Sequence, residues 1–296
     1  MAKVSVVVAT YKREEDLRRA LESLAAQTWQ DMEIVLVDDN ADEAWNARVA
    51  EIVAQFRTVY PQVEMKFIVN NPNQGSAKTR NIGIWAAEGK YITFLDDDDV
   101  YLPEKVSRQA AFMEAEGCDY SITDLMLYNE ADRLIDKRIR GYIEDTSSES
   151  LQRYHLKYHL TGTDTMMFTR EYLTGIGGFD AIDVGDEYYL MQRAISGGGK
   201  FGYLPGCDVK AYVHTGEGGL SSGDGKIKGE NALYEYKKGF FDKVDTRTRR
   251  YIRMRHYAVL AFAELRRKRL VPFAVNALKS FVSAPVACVK LFLIER

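Results

Sequence analysis

Residues Lys90–Tyr101 read KYITFLDDDDVY and join a strand pattern directly to a block of acidic residues. β-Branched and aromatic residues dominate Tyr91–Leu95, as expected of a strand, and four aspartates follow at 96–99. Pro103 then marks the first turn of a helix, where its missing N–H is no loss. Strand, acids and helix in this order place carboxylates at the carboxyl edge of a sheet, where open α/β folds bind ligands.

The four adjacent carboxylates favour a metal site. Like charges at this spacing repel one another, and a divalent cation that bridges to phosphate oxygens relieves the repulsion. Oxygen ligands suit Mg²⁺ or Mn²⁺. We therefore predict a metal and phosphate site at Asp96–Asp99. The structural alternative is a solvated acidic turn or a helix cap.

Strand and helix patterns alternate four times over roughly the first 115 residues, which indicates βαβ units and a doubly wound, mainly parallel α/β sheet. The predicted strands are 4–9, 33–37, 63–69 and 91–95, and the predicted helices are about 13–27, 44–60 and 76–88. Thr10 and Tyr11 follow the first strand, and Asp38 and Asp39 follow the second. These side chains are expected beside the acidic block, because parallel strands end at one edge.

The second half of the chain is less regular. The predicted strands are 118–123, 165–168, 201–204 and 209–214, with helices at 186–196, from about 170, and, ambiguously, at 147–160. Thr163 and Asp164 precede a strand and are candidates for contact with an acceptor. Residues 215–229 are rich in glycine and serine and carry no packing pattern, so we predict a mobile loop that acts as a lid.

Composition and charge indicate a globular protein with a distinct C-terminus. The chain has 296 residues, 46% of them hydrophobic, and a net charge of −3. Residues 247–296 hold 12 Lys+Arg and 2 Asp+Glu, a balance of +10, so the remainder carries −13. This basic segment predicts contact with an anionic membrane surface, or else a helical pair packed on the catalytic domain. Nucleic acid is not expected as a partner.

The cysteines and the apolar runs bear on localisation. Three widely spaced cysteines indicate a reducing compartment, and the apolar N-terminal run is too short and too β-branched for a signal peptide. We expect a cytoplasmic protein, peripheral on the inner face of the cell membrane if the basic segment binds there. We predict a catalytic domain over 1–245, with halves of about 1–115 for the nucleotide and 116–245 for the acceptor, and a helical extension over 246–296.

Five blocks of this sequence resemble family 2 glycosyltransferases, which have the nucleotide-sugar-binding GT-A fold. The blocks are Val6–Tyr11 with Gln27–Trp29 and Glu33–Asp39; Asn73–Gly75 with Arg80 and Asn81; the D-x-D-like Asp96–Asp99; Gly178–Asp180 with Asp186, Glu187 and Leu190; and His214 with Leu220 and Ser221. The resemblance extends from about residue 4 to 222 and leaves the C-terminal segment uncovered.

The resemblance implies an inverting, metal-dependent transferase that uses Mn²⁺ or Mg²⁺. It would move a sugar from a nucleotide donor, most simply a UDP-sugar, to a hydroxyl of a glycan or lipid-linked acceptor in cell-surface polysaccharide synthesis. The alternative is a non-catalytic relative that binds sugar nucleotides or carbohydrate. A nucleotidyltransferase is less favoured, because the residues after the first strand do not form a glycine-rich basic loop.

The resemblance also implies roles for individual residues. Thr10 and Tyr11 would flank the uracil ring, and Asp39 would accept a hydrogen bond from the base. Arg80 would neutralise phosphate or hold Asp39, and Arg13 would complete the nucleotide site.

The acidic motif and the base segment leave alternatives open. Asp96 would contact the ribose or bind the metal through water, Asp97 would belong to the nucleotide site, and Asp98 would bind the metal directly. The run of four acids leaves this register open by one position. The catalytic base is either Asp186 or Glu187, and we favour Asp186. His214, at a strand end, is a candidate metal or diphosphate ligand, or a structural histidine.

Overall fold

The computed structural model describes residues 3–182, 185–214 and 223–293. The first half contains β1 (Val4–Thr10), α1 (Glu15–Ala25), β2 (Met32–Asp38), α2 (Glu43–Val59), β3 (Glu64–Val69), α3 (Ser76–Ala86), β4 (Tyr91–Phe94), β5 (Val100–Tyr101), α4 (Lys105–Glu116), β6 (Tyr120–Thr123), β7 (Leu125–Asn129) and β8 (Leu134–Arg138). The second half contains α5 (Ser148–Tyr158), β9 (Met166–Thr169), α6 (Arg170–Gly175), α7 (Asp186–Ser196), β10 (Phe201–Leu204), β11 (Val209–Val213), α8 (Gly223–Lys238), α9 (Thr246–Arg266), α10 (Leu270–Ser283) and α11 (Pro285–Leu293).

Seven strands form the main sheet, in the order β10-β6-β9-β4-β1-β2-β3. Neighbours are parallel except around β9, which runs antiparallel to both β4 and β6. β1 lies between β2 and β4 and is buried almost throughout, because a strand inside a covered parallel sheet has no solvent face. The predicted α/β class and mainly parallel sheet are confirmed, and the strands predicted in the first 95 residues all form.

Helix α3 lies very close to β1. A Cβ atom at Gly83 would lie 2.4 Å from Cγ1 of Val7, so this helix position requires glycine. The close approach fixes α3 against the strand whose carboxyl end carries Thr10, and with it Arg80, one turn earlier on the same helix. Local packing of this kind positions a charged side chain at the edge of the sheet.

A second sheet, in the order β5-β11-β7-β8, was not predicted as such. β5 is two residues long, and β8 is exposed throughout, so neither shows a strand periodicity that sequence reading can detect. β5 follows the four aspartates directly and pairs antiparallel with β11. This pairing brings the end of β11, where His214 lies, back to the acidic block.

Packing divides the chain into two compact units, one of Met1–Ser148 with Leu160–His214 and one of Glu149–His159 with Thr215–Arg296. Every predicted site residue belongs to the first unit. The division falls at His214 rather than at 245 because α8 packs with α9 in the second unit. The catalytic domain boundary at 245 stays a prediction.

The predicted mobile loop over 215–229 is wrong in its second part. Residues 215–222 lie outside the described residues, and α8 begins at Gly223. The glycines of this helix have low helical propensity, but its later turns pack: the Tyr234 ring stacks on His256 of α9 with centroids 4.1 Å apart. Tertiary contacts therefore override the local composition.

The second unit is built on α9. Its first turn is capped by Asp245, whose carboxylate accepts a hydrogen bond from the Thr248 N–H at 2.6 Å, as is common at helix N-termini. The buried Ser280 hydroxyl of α10 donates to the Met254 carbonyl of α9 at 2.9 Å. Among the described residues, none of the helices has both the length and the apolar character required to cross a bilayer.

Candidate functional site

The carboxyl ends of β1, β2 and β4 meet at one edge of the sheet. Thr10 is in register with Asp38, and the Asp39 N–H donates to the Thr10 carbonyl at 3.0 Å. The Tyr11 N–H donates to Asp97 Oδ2 at 3.1 Å, which ties the turn after β1 to the acidic block. The structure thus brings together the polar strand ends that the sequence placed at this edge.

Asp39 organises the turn that precedes α3. Its Oδ1 accepts hydrogen bonds from the Asn70 side chain at 2.9 Å and the Gln74 N–H at 2.8 Å, and its Oδ2 accepts one from the Gly75 N–H at 2.9 Å. A carboxylate can accept about four hydrogen bonds, so one position remains for a ligand. The sequence did not reveal that Asp39 orders this turn.

The four aspartates of the acidic block have four different partners. Asp96 Oδ1 accepts from Arg80 at 2.6 Å, Asp97 accepts from the Tyr11 N–H, and Asp98 Oδ2 accepts from Arg13 Nη2 at 2.7 Å. Asp99 Oδ1 accepts from the Tyr212 N–H of β11 at 2.8 Å. The block is therefore a set of four distinct positions and not a uniform acidic turn.

His214 lies next to Asp98. Its Nε2 atom is 3.1 Å from Asp98 Oδ2, and its Nδ1 atom is 3.5 Å from Glu130 Oε1. Both the Asp98 and the His214 side chains are partly exposed, at 20% and 33%. The two residues predicted as metal ligands, more than 100 positions apart in the chain, thus face one another, with Arg13 beside them.

Burial raises the pKa values of several of these carboxyl groups. Burial and then the neighbouring Asp98 raise the pKa of Asp97 to about 7. The pKa of Asp98 is also raised, first by burial and then by Asp96, against the opposing charges of Arg13 and His214. Clustered carboxyl groups with raised pKa values indicate a place where additional positive charge is favourable.

Asp164, one of the two candidates for contact with an acceptor, is buried next to the acidic block. It is 3% exposed, and its Oδ1 accepts from the Asp96 N–H at 2.7 Å. Burial, followed by Asp96, raises the pKa of Asp164 to about 7, and burial, followed by Asp164, raises that of Asp99 well above its usual range. These two buried carboxyl groups support the block by sharing a hydrogen bond, a role that no local pattern indicated.

At this edge of the sheet, two sets of described side chains could hold a divalent cation. Carboxylate oxygens of Asp96, Asp99 and Asp164 lie within 4.8 Å of one another, and Asp98 and His214 form the second set. Asp99 and Asp164 are buried and engaged with backbone N–H groups, whereas Asp98 and His214 are accessible. Carboxylate oxygens with an imidazole nitrogen suit Mn²⁺, and oxygens alone suit Mg²⁺, so the residues present fit the expected metal.

Arg80 connects the acidic block to the predicted catalytic base. Its guanidinium lies 2.6 Å from Asp96 and 2.8 Å from Asp186, the first residue of α7. Asp96 and Asp186 hold the pKa of Arg80 above its usual range. The Arg80 group is thus committed to these two carboxylates and not to Asp39, one of the two partners that the resemblance suggested.

Asp186 and Glu187 differ sharply in environment. Asp186 is 6% exposed, pairs with Arg80, and accepts a hydrogen bond from the Ser76 hydroxyl at 3.4 Å. Glu187 is half-buried, and burial followed by the neighbouring Asp186 carboxyl raises its pKa to about 8. A carboxyl group that titrates near neutral pH is suited to proton transfer.

Comparison with known proteins identifies the family. The glycosyl transferase family 2 model matches residues 5–175, more than half of the chain. The chain belongs to glycosyl transferase family 2. It is therefore a glycosyltransferase, as the resemblance predicted.

Two curated relatives match most of this chain. The chain is 30% identical over 233 residues to the succinoglycan biosynthesis protein ExoO of Rhizobium meliloti (strain 1021), with 74% of this chain and 62% of that protein covered. It is 29% identical over 234 residues to the UDP-Glc:alpha-D-GlcNAc-diphosphoundecaprenol beta-1,3-glucosyltransferase WfaP of Escherichia coli, with 79% and 86% covered.

Solved structures confirm the GT-A fold. S. aureus TarS 1–349 in complex with UDP-GlcNAc superimposes with a TM-score of 0.62 at 18% identity, covering 95% of this chain and 91% of that chain. The mannosyltransferase PcManGT of Pyrobaculum calidifontis, in complex with GDP-Man and Mn²⁺, has a TM-score of 0.57 at 14% identity, with 99% and 88% covered.

Proposed function

We propose that this protein is an inverting, metal-dependent glycosyltransferase that moves a sugar from a UDP-sugar to a hydroxyl of a glycan or lipid-linked acceptor. The observation that carries the proposal is the pairing of Asp98 with His214 beside Arg13, at the edge where Arg80 joins Asp96 to the Asp186–Glu187 pair. The complexes of TarS with UDP-GlcNAc and of PcManGT with GDP-Man and Mn²⁺ support a nucleotide-sugar donor and a divalent metal. The name of WfaP supports a UDP-sugar and a lipid-linked acceptor.

Asp98 and His214 would hold the metal ion, which, when bound, would stabilise negative charge on the departing diphosphate. Arg13, 2.7 Å from Asp98, would add positive charge to the same oxygens. Arg80 would keep Asp96 in place for the ribose through their ion pair. These assignments place the diphosphate over the accessible side of the acidic block.

The nucleoside base would lie on the turns after β1 and β2. The Tyr11 side chain is 49% exposed, and its ring suits stacking against a flat base. The Asp39 carboxylate retains one acceptor position for an N–H of the base, while its other bonds order the turn before α3. Thr10 and Asp97 border this space. Asp97 interacts with the Thr10 side chain and accepts a hydrogen bond from the Tyr11 N–H.

We propose Glu187 as the catalytic base, in place of the Asp186 that the sequence reading favoured. Asp186 is paired with Arg80 and accepts a hydrogen bond from the Ser76 hydroxyl, so its charge is already engaged. Glu187 is hydrogen-bonded to Asp186, and burial followed by the Asp186 charge raises its pKa to about 8, so it can take up the proton of the attacking hydroxyl. A single base of this kind would serve direct displacement with inversion at the sugar carbon.

A donor panel tests the nucleotide and metal together. UDP with Mn²⁺ should raise the melting temperature, because a ligand that binds only the native state at about 100 times its Kd stabilises it by about 2.7 kcal/mol. For a chain of this size that corresponds to roughly 5–10 °C. Differential scanning fluorimetry with UDP, GDP and their sugars, with Mn²⁺ or with chelator, measures the shift. A larger shift with GDP would contradict the UDP assignment.

Turnover distinguishes an enzyme from a non-catalytic relative. A coupled assay measures the rate of UDP release from the preferred UDP-sugar. This rate should be higher in Mn²⁺ than in the presence of a chelator. Binding of the donor without any UDP release, in the presence of lipid-linked and free glycan acceptors, would favour the non-catalytic relative.

We also propose that the C-terminal unit binds an anionic membrane surface, where a lipid-linked acceptor would be found. Residues 266–293 contain six Lys or Arg and no Asp or Glu. Eight large apolar side chains of α10 and α11 are at least 45% exposed, namely Leu270, Val271, Val275, Leu278, Phe281, Val282, Val286 and Val289. A basic, apolar helical surface of this kind is typical of proteins that lie in the membrane interface.

Flotation with vesicles tests this surface in the full chain. Val271→Ser/Leu278→Ser should reduce binding to phosphatidylglycerol vesicles about tenfold or more, since each large apolar side chain contributes about 1.5–3 kcal/mol when fully buried. Leu134→Ser/Ile135→Ser, at exposed apolar positions of β8, is the matched control. Binding that is equal in both variants, or indifferent to salt, would contradict the proposal.

A further inference from the structure

The second unit contains a cavity of about 980 Å³ between α5, the first turn of α9 and α11. Its size is at the upper end of the range for small-molecule sites. Five cationic side chains line it, namely Arg153, Lys157, Arg247, Arg250 and Lys290. The carboxylate of Asp245 also lines the cavity, but it already caps α9 by accepting from the Thr248 N–H. The cavity therefore has an excess of positive charge.

Two of the cationic groups are held in place. The Nζ atom of Lys157 lies over the rings of Tyr158 and Tyr251, 4.6 and 5.3 Å from their centroids. Arg250 Nε donates to the Ser283 carbonyl at 2.9 Å. Positive groups that are fixed before a ligand arrives bind phosphate with less loss of side-chain entropy.

Part of the cavity lining is apolar. Pro285, Val286 and Leu291 of α11 contribute to it. Val286 is also 73% exposed and belongs to the exposed apolar face of α10 and α11. Val286 thus joins the cationic cavity to the exposed apolar face. This arrangement matches a phosphate group attached to a hydrocarbon chain.

We propose that this cavity binds the phosphate headgroup of a membrane lipid, with the adjoining chain against α11 and the apolar face. Arginine binds phosphate oxygens with paired N–H donors, and a cleft lined by one sign of charge concentrates the opposite ion. The apolar wall adds affinity for a lipid that a free anion would not gain. The inference rests on the proposed membrane binding of the C-terminal unit and deepens it by naming the lipid phosphate and its site; it does not depend on which sugar the first unit transfers.

The test compares two double variants of the full chain with equal loss of charge. Arg247→Ala/Lys290→Ala removes two cationic groups of the cavity, and Lys228→Ala/Lys243→Ala removes two exposed lysines elsewhere in the same unit. Partitioning onto phosphatidylglycerol vesicles, with phosphatidylcholine vesicles as reference, should weaken about tenfold or more in the first variant, since each engaged Lys or Arg contributes about 1 kcal/mol. It should change less than about twofold in the second.

Inorganic diphosphate distinguishes a lipid from a free anion. Millimolar diphosphate should displace the wild-type chain from vesicles only partly, because it cannot occupy the apolar wall. If calorimetry shows that the chain binds diphosphate but it binds no vesicles, the lipid assignment is overturned. Binding of a single-stranded RNA that is lost in Arg247→Ala/Lys290→Ala, without vesicle binding, would overturn it as well. Equal losses in the two double variants would overturn the cavity. The melting temperature of each variant shows whether it is folded. UDP binding that is unchanged in both variants shows that a loss of vesicle binding concerns the cavity and not the proposed nucleotide site.

Discussion

Asp98→Asn is expected to abolish sugar transfer and to weaken UDP binding in Mn²⁺ by well over tenfold. The substitution keeps the size of the side chain but removes the negative charge opposite His214 and Arg13. Even groups that only orient metal ligands contribute about 10–100-fold to metal affinity, so loss of a ligand charge should have at least this effect. Isothermal titration with UDP, with and without Mn²⁺, and a UDP-release assay measure the two losses.

The fold should survive this substitution. Because burial raises the pKa of Asp98, its ionised form is less favourable in the folded chain than in the unfolded chain. The contribution of this carboxyl to stability is greatest at low pH and declines as the pH rises through the raised pKa. An uncharged asparagine should therefore leave the melting temperature without metal unchanged or slightly higher at neutral pH.

Asp136→Asn, on the exposed strand β8, is the matched control, and it should bind UDP as the wild type does. Unchanged UDP affinity of Asp98→Asn in Mn²⁺ would show that the metal lies elsewhere. The cluster of Asp96, Asp99 and Asp164 would then be the alternative, and Asp99→Asn would be the next variant to titrate.

The sequence predicted the half of the fold that carries the nucleotide edge. The apolar runs of β1 and β2 are long and uninterrupted, and the polar residues directly after them mark the strand ends. Because parallel strands end at one edge, Thr10, Asp39 and Asp96 could be placed together without any coordinates. The family resemblance then assigned roles to these positions.

The individual pairings within the site could not be predicted. Arg80 lies 16 residues from Asp96 and 106 from Asp186, and periodicity carries no information about contacts at such separations. The pairing of β5 with β11, which brings His214 to Asp98, depends on a two-residue strand without a detectable pattern. The choice between Asp186 and Glu187 likewise depends on which of them Arg80 holds.

Helix α8 is a case in which the local sequence predicted the wrong structure. The predicted loop extends into its first residues, 223–229, which are nevertheless helical, and its later turns pack against α9. The sequence showed that α10 and α11 are rich in apolar residues, but not which of these side chains are exposed. The cavity beneath it combines side chains from α5, α9 and α11, which are up to 137 residues apart (Arg153 and Lys290).

Glu187→Gln is expected to lower kcat by about 10²–10⁴-fold, the usual contribution of a general base, with little change in UDP affinity. The glutamine keeps the shape of the side chain but cannot accept the proton of the acceptor hydroxyl. Steady-state kinetics with the preferred donor and acceptor, together with titration of UDP, measure the two quantities. Glu171→Gln, an exposed acid in the first turn of α6, is the matched control.

The pH profile gives a second readout of the same assignment. The pKa of Glu187 is about 8 because of burial, the adjacent Asp186 carboxyl and their hydrogen bond, opposed by Arg80. The base acts only when it has lost its proton, so kcat/KM of the wild type should rise about tenfold per pH unit below pH 8 and level off above it. This dependence should disappear in Glu187→Gln.

Asp186→Asn separates the base from its neighbour. Removing this carboxylate also removes the second-largest cause of the raised pKa of Glu187, so the rise in kcat/KM should move to lower pH while burial keeps it above the usual range for glutamate. Arg80 loses one of its two partners, and donor binding should weaken as Asp96 shifts. If instead Asp186→Asn abolishes turnover, and Glu187→Gln retains activity with the pH profile of the wild type, Asp186 is the base and the pairing with Arg80 must open during the reaction.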